Sequence, residues 1–464
     1  MQKRVGVLLP LKVVNNINME KKLRVGIIGG GMFFDDIIGQ SFKDFERGGF
    51  AGFLTSIGMS HFAPLVADIK IETVAIGTRS AKSATAGRIS EDFLKTFPLS
   101  AIKPYYGEGC YREIVDREKP DILVVATPDH FHTEPILYAL GKGLHVITEK
   151  PLCLKTEEAD RIIETARQKN LVVAVDMHKR YDPAVRDMLS SCAGKYGKIN
   201  RVRAALEEPL ALPAGVFKWA EHSNPFSYVG CHWLDAVAFY LDVFPLSLYA
   251  TGEKNLLANW DSYVKKVAGL EKRDISEFPV QRALNCWDGL NVNITYDNGM
   301  RGDFNNNWIN PAEFEGASNQ EIEVYGILGR GFVDQQDRGY RETVIGDGSR
   351  TRNPFFGGHI RNKQGYEELF GYGKASIVAG LLAVSRVKFL GENASDIAGS
   401  YPDAASQRSI TMIIEAAEVV AEKNFNYFCA EKRCPVTASF SENEIVIVDP
   451  LANPSDCILY RRHP

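Results

Sequence analysis

The sequence predicts a two-part α/β protein. A Rossmann-like, doubly wound N-terminal domain comes first, and an α+β C-terminal domain with a large, mainly antiparallel sheet follows. Three observations carry this. Apolar runs of strand length alternate with helical segments from residue 23 to about 176. A glycine cluster ends the first run and opens a helix. Beyond about residue 195 the pattern changes to long strands punctuated by turn signals. Continuous apolar strands between helices mean a parallel sheet covered on both faces.

The elements can be justified in order. "LRVGIIG" (23–29) is a buried strand running into glycines, and "MFFDDIIGQSFKDFE" (32–46) carries Phe34, Ile38, Phe42 and Phe45 at helical spacing. "IETVAIG" (71–77) is a second strand, "YREIVDRE" (111–118) a short helix and "PDILVVAT" (120–127) a third strand. "PILYALGKG" (135–143) is helical, and "LHVIT" (144–148) is a strand that ends in Glu149, Lys150 and Pro151. "TEEADRIIETARQKN" (156–170) is an amphipathic helix with Thr156 as its cap, and "LVVAVDM" (171–177) closes the series. The stretch between Glu46 and Ile71, rich in Gly and Phe, is long for a connection and reads as an insertion near the cofactor side of the sheet.

In the second half, 198–209, 245–253, 289–308 and 319–336 read as antiparallel strands, with Asp297-Asn298-Gly299 as a hairpin turn. "QRSITMIIEAAEVVAEKN" (407–424) is again an amphipathic helix. The expected division is an N-terminal extension at 1–22, a dinucleotide-binding domain at 23–180, a substrate and oligomerisation domain at 181–405, and a returning helix with a C-terminal tail at 406–464.

Composition narrows the function classes. Of 464 residues, 45% are hydrophobic and 24% charged, as in ordinary globular proteins. A net charge of −4 gives no electrostatic reason to expect nucleic acid or an anionic membrane as partner. No apolar stretch approaches the roughly 18 residues that cross a bilayer. Eight cysteines without a CxxC pair or a disulfide-framework spacing read as reduced thiols of a cytoplasmic protein. Lys3 and Arg4 before "VGVLLPL" faintly resemble a signal peptide, but the run is short and holds Pro10. A start at Met19 fits the strand that follows.

Four groups of residues can carry chemistry. Gly29 and Gly31 fit the first two glycines of G-x-G-x-x-G, where backbone approaches a pyrophosphate at a helix N-terminus; Phe34 replaces the third. Thr78, Arg79 and Ser80, with Lys82 beyond, stand where a dinucleotide fold usually carries an acid for the ribose hydroxyl, and arginine there suits a 2′-phosphate. His130, His132 and Lys150 lie just past parallel strands, the end of an α/β sheet where ligands bind. His232 and Asp235 are three apart on one helix face, and Tyr228 precedes His232 by four. A metal site of His178, His222 and His232 would match no ligand spacing, so no metal is expected.

The order "GIIGGG", "ATPDHFH", "EKPL", "HKRYDP" and "GCHWLD" resembles the glucose–fructose oxidoreductase / inositol dehydrogenase / rhizopine-catabolism (Gfo/Idh/MocA) oxidoreductase family. The resemblance implies an NAD(P)-dependent oxidoreductase acting on a sugar, cyclitol or related polyol, with NADP favoured over NAD on account of Arg79. It implies that Lys150 touches the reacting hydroxyl, that Pro151, often cis in this family, aims it, and that His232 is the acid/base. The cofactor would then lie against Gly29, Gly31, Met32, Phe33, Thr78, Arg79, Ser80, Thr127, Pro128, His130, His132, Glu149 and Lys150. The substrate would meet Lys150, Lys179, Arg180, Tyr228, His232 and Asp235. A homodimer or homotetramer is the corresponding expectation.

One departure stands out. The family's usual motif places an aspartate four residues before the histidine, where this chain has Tyr228. The expectation is that its hydroxyl is a positioned donor, or that Asp235 or Asp176 supplies the missing acid. Two alternatives keep the fold: a glycoside-cleaving enzyme that oxidises transiently, eliminates and re-reduces, and a cofactor-binding regulator without catalysis.

Overall fold

The computed structural model describes residues 20–80, 102–277, 283–311, 318–335, 340–344, 348–353, 355–361, 363, 365, 367–452 and 458–462. Residues 1–19, Lys82 and Cys457 lie outside them. The first sheet has six parallel strands: β1 (Lys22–Ile28), β2 (Lys70–Thr78), β3 (Lys103–Tyr106), β4 (Ile122–Val125), β5 (His145–Thr148) and β6 (Val173–Val175). Their spatial order is β3-β2-β1-β4-β5-β6. The order reverses between β1 and β4, so the loops after β1 and β4 diverge and leave a crevice at the carboxyl end of the sheet. β4 and β5 are buried along their whole length, as continuous apolar runs require.

Helices cover both faces. On one side lie α1 (Gly39–Gly48), which continues a π-helical turn at Phe34–Ile38, and the short turns at Ala51–Ile57, Ser60–Phe62 and Ala63–Val66. On the other lie α2 (Thr133–Gly141) and α3 (Thr156–Lys169). The first residue of α3 is Thr156 itself, and its cap comes from elsewhere. Glu415 accepts from the Thr156 amide at 2.8 Å and from its hydroxyl at 2.7 Å. Asp182 caps α4 (Pro183–Tyr196) through the amides of Ala184 and Val185, with Pro183 in the first turn where its missing N–H costs nothing.

The second sheet has nine strands. Six of them are β7 (Ile199–Pro209), β8 (Pro245–Glu253), β9 (Gly289–Tyr296), β10 (Arg301–Asn310), β11 (Asn319–Gly326) and β12 (Arg330–Asp334), with β11 and β10 flanking β7. The sheet is mainly antiparallel, as expected, with one parallel pair, β7 with β10. Two small hairpins follow, β13 (Tyr340–Val344) with β14 (Gly348–Arg352) and β15 (Gly358–Arg361) with β16 (Glu367–Phe370).

The chain then returns. Helix α6 (Ala375–Leu390) packs its Gly380 against Ala174 and Ile147 of the first sheet. Between the domains lies α5 (Cys231–Leu241), buried from Cys231 to Val237, and α7 (Arg408–Glu431) crosses from α3 to β8. The tail adds β17 (Thr437–Ser441), β18 (Glu444–Val448) and β19 (Ile458–Arg461) to the edge of the nine-stranded sheet, in the order β12-β11-β7-β10-β9-β8-β17-β18-β19. Among the described residues, no helix is long and apolar enough to cross a membrane.

Candidate active site

The site is built from loops at the carboxyl end of the parallel sheet and from the elements that cover it. After β1 the backbone turns at Gly29, with φ +105°, and a Cβ there would meet the Ala126 carbonyl oxygen at 2.0 Å. Only glycine satisfies both demands. Gly31 is exposed with open space where its Cβ would be, as a backbone approached by a ligand requires. Met32 is exposed beside it, and Phe33 stacks on His178 at 5.6 Å. After β2, Thr78 is buried while Arg79 and Ser80 are exposed. After β4, the Thr127 hydroxyl and the His130 Nδ1 are buried without a hydrogen-bond partner. Orphan polar atoms on the loop after β4, beside the Gly29 turn that packs on Ala126, fit a dinucleotide, whose sugar and phosphate oxygens would satisfy them.

His132 has another part. It is fully buried, with Nδ1 2.7 Å from the Pro151 carbonyl and Nε2 2.9 Å from that of Thr127. It ties the loop after β4, with Pro128 in it, to the loop after β5. That second loop holds Glu149, Lys150 and the cis Lys150–Pro151 peptide. Burial, and then Asp176 beside it, push the Glu149 carboxyl well above the usual range.

Lys150 reaches across to the second domain. Its Nζ donates to the Tyr228 carbonyl at 2.7 Å and lies 3.5 Å from the centre of the Tyr228 ring. Tyr228 belongs to a π-helical turn, Phe226–Gly230, that leads into α5, and His232 follows one turn later. The His232 ring lies 4.3 Å from that of His178, whose Nδ1 is 3.6 Å from Asp176. Burial, then His178, Lys150 and Lys179, hold the His232 imidazole well below its ordinary value. It is therefore neutral at physiological pH, with a lone pair free to take a proton. His222 pairs with His130 at 5.1 Å and does not join the other two.

The remaining residues divide. Lys179 is buried, donates to Gln320 and Gln335, and lies 3.4 Å from the Tyr372 hydroxyl. Arg180 and Asp235 form a buried bidentate pair at 2.7 and 2.6 Å, with Gln407 donating to Asp235 at 2.6 Å. Asp235 thus faces Arg180, and Asp176 is the carboxylate nearest the histidines. Tyr228 meets Lys150 through its ring and its main-chain carbonyl.

Glu208, near the end of β7, went unnoticed in the sequence. It is buried and accepts from the Trp308 indole at 2.9 Å. Burial pushes its carboxyl up to about 7, against the pull of Lys150. Around it Phe217, Trp219, Tyr228 and Trp308 form an aromatic cluster. The acid in "LEEP" reads as a solvated strand end, and Trp308 comes 100 residues later in sequence, so no local signal joins them.

A crevice at the switch point, closed by a second domain that carries a neutral histidine to a strand-end lysine, defines a two-domain dinucleotide-binding oxidoreductase. The comparisons agree. Residues 23–177 match the oxidoreductase family with NAD-binding Rossmann fold, and residues 184–330 match the GFO/IDH/MocA C-terminal domain. The chain belongs to the Gfo/Idh/MocA oxidoreductase family. Relatives include the D-glucoside 3-dehydrogenase of Escherichia coli (strain K12), 35% identical over 26% of this chain and 36% of that one. Another is the glucose-6-phosphate 3-dehydrogenase of Bacillus subtilis (strain 168), 27% identical over 33% and 43%. The match thus spans less than half of either relative's length. The fold is shared with the scyllo-inositol dehydrogenase from Lactobacillus casei with bound NAD(H) and scyllo-inositol. There the TM-score is 0.55 at 16% identity, covering 87% of this chain and 98% of that one.

Proposed function

We propose that the protein is an NAD(P)-dependent dehydrogenase of a sugar, cyclitol or related polyol, with Lys150 and His232 as its catalytic pair. The observation that carries this reading is their convergence from two domains beside the glycine turn. The bound nicotinamide would supply the hydride acceptor. Lys150 Nζ polarises the carbinol oxygen, an interaction that strengthens as that oxygen gains negative charge. His232, neutral and buried, takes the hydroxyl proton on a ring nitrogen. His178 beside it, with Asp176 behind, gives that proton a route away from the site. Tyr228 holds the lysine through its carbonyl and ring face.

Arg79, exposed at the end of β2 where no acid stands, favours the 2′-phosphorylated nucleotide. Gly29, Gly31, Thr127 and His130 would hold the rest of the dinucleotide. Lys179, tied to Gln320 and Gln335, adds positive charge on the substrate side, and Arg180 with Asp235 fixes the segment that presents it. The reading is tested by screening sugars and polyols with both nucleotides while following the absorbance of the reduced nicotinamide.

A further inference from the structure

The catalytic pair leaves Glu208, a buried ionisable group at the site, without a task. Glu208 lies near the end of β7 and is joined through the Trp308 indole to the Tyr228 ring that holds Lys150. Among the described residues its recorded donor is the Trp308 indole alone. A carboxylate offers about four acceptor positions, and buried acceptors are seldom left short of donors. Beside it, Trp219 and Tyr228 are half-buried rings 4.8 Å apart, and the fully buried Trp308 lies behind them. Flat rings with electron-rich faces suit the C–H face of a pyranose or cyclitol, and an acceptor at their edge suits one of its hydroxyls.

We propose that Glu208 is a specificity residue: it accepts a hydrogen bond from a hydroxyl of an uncharged sugar or cyclitol resting on this aromatic wall, and it disfavours substrates carrying a phosphate or carboxylate there. This rests on the dehydrogenase reading and deepens it. Lys150 is engaged by Tyr228 and the Glu208 carboxylate stands in a buried, poorly solvated pocket, so an anionic group on the substrate meets like charge there.

The test compares wild type, Glu208→Gln and Trp308→Phe on neutral sugars and on their phosphate esters, with nucleotide binding measured in parallel as a check of folding. Wild type is expected to turn over neutral sugars in preference to the phosphates. Glu208→Gln should raise KM for the neutral sugar by roughly tenfold to a hundredfold, as loss of a charge-assisted hydrogen bond does, with kcat little changed. It should also narrow the discrimination against the phosphate. Trp308→Phe should shift KM the same way by less. Equal use of neutral and phosphorylated sugars by wild type, or an unchanged KM in Glu208→Gln, overturns the role of Glu208 and leaves the dehydrogenase reading standing. No turnover of either class by wild type that binds nucleotide overturns the dehydrogenase reading, and this inference with it.

Discussion

The ammonium of Lys150 lies 3.5 Å from the centre of the Tyr228 ring and donates to the carbonyl of the same residue at 2.7 Å. One residue thus holds the lysine twice, through its π face and through its main chain. A desolvated cation over an aromatic face is worth up to about 2 kcal/mol. The phenol oxygen plays no part in either contact, and burial pushes its titration well above the ordinary range.

Tyr228→Phe is therefore expected to keep kcat within about a factor of three of wild type, since ring and carbonyl both remain. Tyr228→Asp removes the ring from contact with Phe217, Trp219 and Trp308 and is expected to lose most activity. Steady-state kinetics of the pair decide this. A Phe variant as impaired as the Asp variant would return the role to the hydroxyl.

The acid limb of kcat should reflect His232. Its imidazole is held below the ordinary value, about 6.5, first by burial and then by His178, Lys150 and Lys179. A depressed value keeps the base neutral as the pH falls, so kcat should hold through pH 6.5 and decline only below it. KM for a neutral sugar should instead rise as the pH falls through about 7, where Glu208 takes up its proton, and Glu208→Gln should abolish that rise. A kcat limb at or above pH 6.5 in wild type would argue against His232 as the base.

Arg79→Ala should weaken the 2′-phosphorylated nucleotide by roughly tenfold or more and leave the unphosphorylated form nearly unchanged. Titration of both nucleotides measures it. Wild type that binds the unphosphorylated form at least as tightly would show that "TRS" at the end of β2 does not read a phosphate.

Arg180 and Asp235 carry stability. Removing one partner of a buried ion pair typically costs about 3–5 kcal/mol, and Asp235 also accepts from Gln407. Asp235→Ala should lower the denaturation midpoint well beyond an exposed-site control such as Asp242→Ala. Equal midpoints would mean that the pair is not buried in solution.

The parallel sheet was legible because each strand is an unbroken apolar run ended by a loop residue of distinct chemistry. The pairing of β7 with β10 was not, since parallel neighbours about 100 residues apart leave no local signature. Helix α6 escaped for a different reason: "ASIVAGLLAVS" is buried on all sides and has no amphipathic period to read. The tail strands alternate only over five residues each, around Glu442-Asn443, and pass for a loop. Lys150 and His232 stood out by motif, while Glu208 acquires meaning only once the second sheet folds Trp308 onto it.

The most direct measurement is turnover of a panel of sugars and polyols with each nucleotide, wild type against Lys150→Ala, followed by absorbance of the reduced nicotinamide. The expected result is reduction by wild type with at least one polyol. Lys150→Ala should still bind nucleotide but lose roughly 10²–10³ in kcat, the usual cost of removing a donor to a developing oxyanion. A Lys150→Ala variant with near-normal turnover, or wild type that binds nucleotide and oxidises no polyol in the panel, would contradict the assignment.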